Sequence, residues 1–380
     1  MAALGPRSRI LFVAENFHQG WGGSPESIRL MARRLALLGV SSDVVDRGRL
    51  HRAVGTLTAL PEDEAGGESF DLEMVQGYDA LLQVGPWQNP LRVREIIRRR
   101  SPGRPYYYLP RGGLARTEFK GRRGIKKFPY FLAVEARFVQ AVDAIVFSSN
   151  AERRAITPLY RGAASEEIVP DYFDRQPVQV PGSKPAKELR LGFLAEIGPG
   201  KGLLPLMRAL ALWVPRRPDG RQVRLTVGGG VRAGADRYFA HIREISSGIA
   251  GLEVDYRGRV SHGDRPSFYA GIDLFVVPSR CESFGLTVLE STSAGCALLC
   301  SSRVGALEHL PPSPRIIVCD DVTPSSFESG LDRAASAVEQ AGDRQLSMDV
   351  AAAAVAQINA EADRQWRRLL RLEGDRTESI

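Results

Sequence analysis

A chain of 380 residues, 43% hydrophobic and 25% charged, is too long for one ordinary core and fits two domains, and its composition excludes a disordered chain. No apolar run approaches the roughly 20 residues that a membrane-spanning helix needs, and the opening MAALGPRSRILFVAEN lacks a signal-peptide core, so a cytoplasmic protein is expected. The formal charge of +7 gathers in one stretch of the first half rather than spreading evenly.

Residues 10–14 form an apolar strand, followed by a loop that ends in Gly20, Trp21, Gly22 and Gly23. Ser24 is placed to cap a helix with Pro25 at its first position. Ile28, Met31, Ala32, Leu35 and Leu38 then form an apolar stripe that stops at Gly39. Residues 40–46 read as the next strand, which gives a βαβ opening and a parallel sheet. A glycine loop after the first strand is either a tight turn or the place where an open α/β sheet binds its ligand. Strands continue at 80–84, 106–109 and 144–147.

Around the second of these, Arg98, Arg99, Arg100, Arg104, Arg111, Arg116, Lys120, Arg122, Arg123, Lys126 and Lys127 are opposed only by Glu118. Such a stretch suits the anionic surface of a membrane, with a solvated face as the alternative. Aromatic residues interleave with the cations, but no nucleic-acid motif frames them, and no nucleic acid is expected as a partner.

The text of 174–188, DRQPVQVPGSKPAKE, is rich in proline and lysine and has no periodicity, so it reads as a linker between domains at 1–174 and 175–358. A second α/β series starts at 189–194, passes through 223–227 into Gly228, Gly229 and Gly230, and includes strands from Leu274 and at 297–300. Neither half holds a G-x-G-x-x-G fingerprint. Cys281, Cys296, Cys300 and Cys319 have neither C-x-x-C nor zinc-ligand spacing, and Glu62, Asp63 and Glu64 sit in a Gly-flanked acidic loop. No metal and no other cofactor is therefore expected.

The most informative segment is 273–290, DLFVVPSRCESFGLTVLE. Its run of Leu274, Phe275, Val276 and Val277 is a strand buried on both faces, closed by Pro278 and Ser279. Gly285 lets backbone approach a ligand, and the helix predicted over 286–294 turns its free N–H groups toward that point, where phosphate binds well. Glu282 precedes the helix and Glu290 lies two turns inside it, so two separated carboxylates can hold different hydroxyls of one extended ligand. Two ordinary glutamates on a surface turn are the plain alternative.

Glu282, Ser283, Phe284, Gly285 and Glu290, then Ser293, Ala294 and Gly295, resemble the signature of family-4 retaining glycosyltransferases, whose two glutamates stand seven residues apart. The resemblance extends to Gly22 and Gly23 in the N-domain glycine loop, to 110–152 as the acceptor-side region, to Lys201 with Gly202, to Gly258 with Val260, and to Val304, Gly305 and Glu308. Trp366 resembles the residue of a C-terminal helix, 359–380, that returns to the first domain.

The resemblance implies an α/β GT-B architecture, two Rossmann-like domains with parallel sheets across a cleft. It also implies metal-independent, retaining transfer of a sugar from a nucleoside-diphosphate sugar to a glycan or lipid-linked acceptor, in surface polysaccharide assembly. On that basis Glu282 and Lys201 carry the chemistry. Glu290, Ser283, Phe284, Gly285, Leu286, Thr287, Val260, Gly22 and Gly23 hold the donor, and Arg111 and Gly112 belong to the acceptor side. Two departures stand out. Arg111 replaces a common histidine, and Glu196 stands where the family usually has an arginine before Lys201, so Glu196 is expected to turn away from the donor phosphates. A nucleotide-sugar 2-epimerase and a decayed binding subunit are the alternatives.

Overall fold

The structure is a computed structural model that describes residues 8–14, 17, 23–46, 49–52, 68–85, 104–119, 124, 128–131, 135–139, 142–156, 165–178, 188–217, 220–340 and 344–372. It divides into a unit of Met1–Asp174 with Gln357–Ile380 and a unit of Arg175–Ala356.

In the first unit, β1 (Arg9–Ala14) leads through α1 (Gly23–Leu37) to β2 (Ser41–Asp46), which pairs parallel with β1. The helix starts at Gly23, one residue ahead of the cap expected from Ser24, and Gly39 ends the segment at φ 80°. Two short antiparallel strands, β3 (Arg49–His51) and β4 (Glu68–Ser69), form one edge. β5 (Ala80–Val84), β6 (Tyr106–Leu109), α2 (Ala136–Val139), β7 (Ala144–Phe147), α3 (Asn150–Ala155) and β8 (Ser165–Ile168) complete it in the sheet order β4-β3-β2-β1-β5-β6-β7-β8.

Every residue of β5, β6 and β7 is buried, as expected for a parallel sheet covered on both faces. The two-residue period of β1 sorts the core. Ile10, Phe12 and Ala14 pack with Ile28, Met31 and Leu35, while Leu11 and Val13 pack with Tyr78, Phe131 and Phe147.

The second unit is a six-stranded sheet of β9 (Glu188–Leu194), β10 (Gln222–Gly228), β11 (Leu252–Gly258), β12 (Leu274–Val277), β13 (Ala297–Ser301) and β14 (Ile316–Cys319). Its helices are α4 (Leu203–Trp213), α5 (Asp236–Ser247), α6 (Arg265–Ala270), α7 (Leu286–Ser293) and α8 (Pro324–Gln340). All neighbouring strands run parallel in the order β11-β10-β9-β12-β13-β14. The chain winds outward in one direction from β9 and then in the other from β12. The carboxyl ends of β9 and β12 therefore form the switch point where open α/β sheets bind ligands.

The last helix, α9 (Arg344–Leu370), starts in the second unit and ends in the first. Ala362, Trp366 and Leu370 enter the first unit's core, and Tyr107 donates its hydroxyl to the Leu369 carbonyl at 2.5 Å.

Candidate active site

Lys201 follows β9 and Glu282 follows β12, so each lies on one of the two loops of the second unit's switch point. The Lys201 Nζ donates to Glu282 Oε2 at 2.6 Å, and Ser279 Oγ donates to the same oxygen at 3.2 Å. Neither contact uses Oε1. The two side chains keep 31% and 20% of their surface, so the pair is reachable from solvent. Burial pulls the Lys201 ammonium down, but the Glu282 charge and hydrogen bond outweigh it, and the group stays protonated above the ordinary lysine range.

Backbone constraints fix both loops. The Glu282 N–H donates to the Arg303 carbonyl at 3.0 Å and its own carbonyl accepts from Gly305 at 3.2 Å, which ties the loop to the segment after β13. The Arg280 N–H donates to Gly200 at 2.9 Å. Gly202 has φ 75°, and a Cβ there would lie 1.8 Å from the Pro278 carbonyl oxygen, so the two loops touch at a place only glycine can occupy.

Gly202 is the N-cap of α4, and Gly285, at φ 97°, is the N-cap of α7; neither supplies a side-chain cap. Two helices thus start beside Lys201 and Glu282 without an N-cap side chain; in α4 the Leu204 N–H donates to the Tyr238 hydroxyl at 3.1 Å, and the start of α7 favours an anion.

The remaining donor-side residues of the sequence reading fall in two groups. Ser283, Leu286, Thr287 and Val260 are half-buried along this same end of the sheet. Phe284 is not: its ring is buried and tilted against His309 with centroids 5.7 Å apart, and only its backbone, which accepts from Ala306 at 2.7 Å, has a defined role. Phe284 supports the loop from inside, because a large apolar ring gains more from the core than from water.

Glu290 is 10% exposed, and both of its carboxylate oxygens are engaged, by Arg265 at 2.5 Å and by the Tyr269 hydroxyl at 2.6 Å. Burial, then the Glu290 charge and hydrogen bond, push the Tyr269 hydroxyl well above its ordinary value, so it remains a donor. Sequence reading missed Arg265 and Tyr269. A helix opening R-P-x-x-Y places both on the face toward α7, but nothing in the sequence pairs that face with Glu290. The Glu196 carboxylate meets Arg232 Nε at 3.5 Å.

In the first unit the Pro110-Arg111-Gly112 turn lies at the carboxyl end of β6, with Arg111 at φ 50° and Gly112 at φ 75°. Arg111 bridges to Asp171 at 2.5 Å with both side chains only 7% exposed, and Asp171 also accepts from Ser27 Oγ at 2.9 Å. The Gly112 N–H donates to Glu152 at 2.6 Å, and Ser148 donates its N–H and its hydroxyl to the other Glu152 oxygen at 2.7 and 2.8 Å. Burial raises the Glu152 carboxyl, against the pull of Arg111 and these donors. Arg111 is therefore a buried ion-pair partner rather than an outward cation; Glu152, within the 110–152 region of the sequence reading, and Asp171, which that reading did not single out, hold its turn in place.

Arg104 donates to the Val75 carbonyl at 2.7 Å, which also withdraws it from the basic stretch. Arg98, Arg99, Arg100, Lys120, Arg122, Arg123, Lys126 and Lys127 lie outside the described residues, as do Gly22 and the linker at 179–187. Gly23 is described only as the first residue of α1. Among the described residues no helix is long and apolar enough to cross a membrane, and no three His, Cys, Asp or Glu side chains converge as metal ligands.

Residues 188–335 match the family model described as Glycosyl transferases group 1. A GDP-mannose-dependent alpha-(1-6)-phosphatidylinositol monomannoside mannosyltransferase of Mycobacterium tuberculosis is 28% identical over 64% of this chain and 63% of its own length. A lipopolysaccharide core biosynthesis mannosyltransferase of Rhizobium meliloti is 26% identical over 57% of this chain and 56% of its own length. The chain thus spans less than two thirds of each of these relatives.

Sucrose-phosphate synthase from Thermosynechococcus elongatus superposes with a TM-score of 0.67 at 16% identity, covering 96% of both chains. Anabaena HepE in complex with UDP and glucose gives 0.65 at 16% identity, over 95% of this chain and 100% of that one. The fold is GT-B, built of two Rossmann-like units with parallel sheets.

Proposed function

Given a second unit that matches the Glycosyl transferases group 1 model over residues 188–335, we propose that this chain moves a sugar from a nucleoside-diphosphate sugar to a glycan or lipid-linked acceptor, with retention of configuration and without a metal ion. The observation that carries this reading is the 2.6 Å contact of Lys201 with Glu282 at the switch point between β9 and β12.

Cleavage of the anomeric bond builds negative charge on the departing phosphate and positive charge on the sugar ring. Lys201 and the first turn of α7, whose N-cap Gly285 brings no side chain, meet the first charge with groups already oriented, so little reorganisation is needed in the reaction. Glu282 meets the second. Its Oε2 is held by Lys201 and Ser279, which leaves Oε1 to accept from a sugar hydroxyl and to face the cationic ring. Attack from the face that the phosphate leaves gives retention, with the phosphate itself taking the acceptor proton. Glu290, steadied by Arg265 and Tyr269, is assigned to the ribose hydroxyls.

The names of the two mannosyltransferases, which refer to a phosphatidylinositol mannoside and a lipopolysaccharide core, support an acceptor of lipid-linked or glycan type and a place in surface polysaccharide assembly. Peripheral contact of the basic stretch with an anionic membrane accords with such an acceptor.

The test is a panel of nucleotide sugars that includes GDP-mannose and UDP-glucose, with diphosphate release and the anomeric configuration of the product followed by NMR. Release from at least one donor, lost in Glu282→Gln, with retained configuration is the expected result. Release unaffected by Glu282→Gln, or inversion, contradicts it. Epimerised free nucleotide sugar without transfer would point to the epimerase reading instead.

A further inference from the structure

We propose that Arg232 is a phosphate-binding residue of this donor site, held by Glu196 until a nucleoside diphosphate takes it over; this rests on the donor reading above. Beyond the ladder, β9 and β10 keep running side by side. Ala195 donates to the Gly228 carbonyl at 3.1 Å, Ile197 to Gly230 at 2.8 Å, and Arg232 to Ile197 at 3.0 Å, with a parallel bridge between Ile197 and Val231. Arg232 is thereby fixed beside the loop that carries Lys201. Its side chain crosses Gly198, where a Cβ would lie 3.4 Å from the Arg232 Cδ, and so runs onto the Gly198-Pro199-Gly200-Lys201 turn.

The pair that Arg232 makes there is easily exchanged. Its Nε stands 3.5 Å from Glu196 Oε2, beyond a good hydrogen bond, and the two side chains are 37% and 39% exposed. Exposed pairs of this kind contribute little, whereas a guanidinium on a phosphate makes parallel charge-assisted bonds. Glu196 also reaches the other cation, since its charge is among those that raise Lys201.

Without ligand, Glu196 and Glu282 balance Arg232 and Lys201. An arriving diphosphate repels Glu196 and attracts both cations, so Arg232 is the group free to change partner. The carboxylate at this position then acts as a local counter-ion, replaced by the phosphates on binding, and Arg232 is the second cation of the site.

The experiment is calorimetry of UDP, GDP, uridine and guanosine with wild type, Arg232→Ala, Arg232→Lys and Glu196→Gln. Diphosphate Kd is expected to rise about tenfold or more in Arg232→Ala, as for the loss of one charge-assisted contact, to rise less in Arg232→Lys, and to fall in Glu196→Gln. Nucleoside affinity is expected to be equal in all four, which separates a lost phosphate contact from a disturbed fold. Diphosphate binding by Arg232→Ala within twofold of wild type, or a parallel loss of nucleoside binding, overturns the inference alone. A wild type that binds neither diphosphate overturns the donor reading and this inference with it.

Discussion

Glu282 and Glu290 resemble each other in sequence, but their surroundings divide their work. Glu282 is partly exposed and shares one oxygen with Lys201 and Ser279, so its change to Gln removes charge from the reaction while leaving the nucleotide contacts in place. Turnover is expected to fall by about 10² to 10³, the usual cost of losing one oriented charge in an active site, with the diphosphate Kd within a few-fold of wild type. Equal weakening of binding and turnover would remove this division. Glu290 is the buried counter-ion of Arg265 and the acceptor of Tyr269. Glu290→Ala is expected to lower the unfolding free energy of the second unit by about 1 to 3 kcal/mol as well as weakening nucleotide binding, because two buried donors lose one acceptor group. Denaturant unfolding with unchanged midpoint and slope would show that Arg265 and Tyr269 repack at no cost.

Among the elements, the two loops of the switch point stand or fall together, since they meet at Gly202. Gly202→Ala forces a methyl into the Pro278 carbonyl and strains a positive φ, so it is expected to destabilise the unit by about 1 to 3 kcal/mol and to displace Lys201 from Glu282. Gly200→Ala, where a Cβ meets nothing within 4 Å, is the matched control and is expected to stay close to wild type. If the two variants are equally stable and active, the close approach of the loops is not what positions Lys201. These glycines were legible in the sequence as a lysine-glycine turn and a glycine before a helix, as were the apolar runs of β1, β5, β6, β7, β9, β12 and β13. β8, β11 and β14 were not. β8 and the half-exposed β11 carry charged residues, β14 buries only alternate residues, and all three are edge strands, so their pairing comes from the neighbouring strand rather than from their own periodicity. The partners of the site residues were hidden for a related reason: strand order and helix packing bring Arg232, Arg265 and Tyr269 to their partners in the second unit, and Asp171 to Arg111 in the first, across tens of residues of sequence.

For the molecule as a whole, each unit has its own core, and α9 contributes to the first one from the far end of the chain. Trp366 is among the largest fully buried side chains, so Trp366→Ala is expected to cost the first unit about 3 to 5 kcal/mol while leaving diphosphate binding by the second unit intact. Loss of both would show that the units do not hold their folds separately. In the proposed reaction the donor binds at the carboxyl ends of β9 and β12. Hydrogen–deuterium exchange of the full chain, with and without a saturating diphosphate, tests it most directly. The predicted result is slowed exchange in the segments around Lys201 and Arg232 and in the first turn of α7 after Gly285. Protection confined to other segments, or none while calorimetry shows binding, would contradict it.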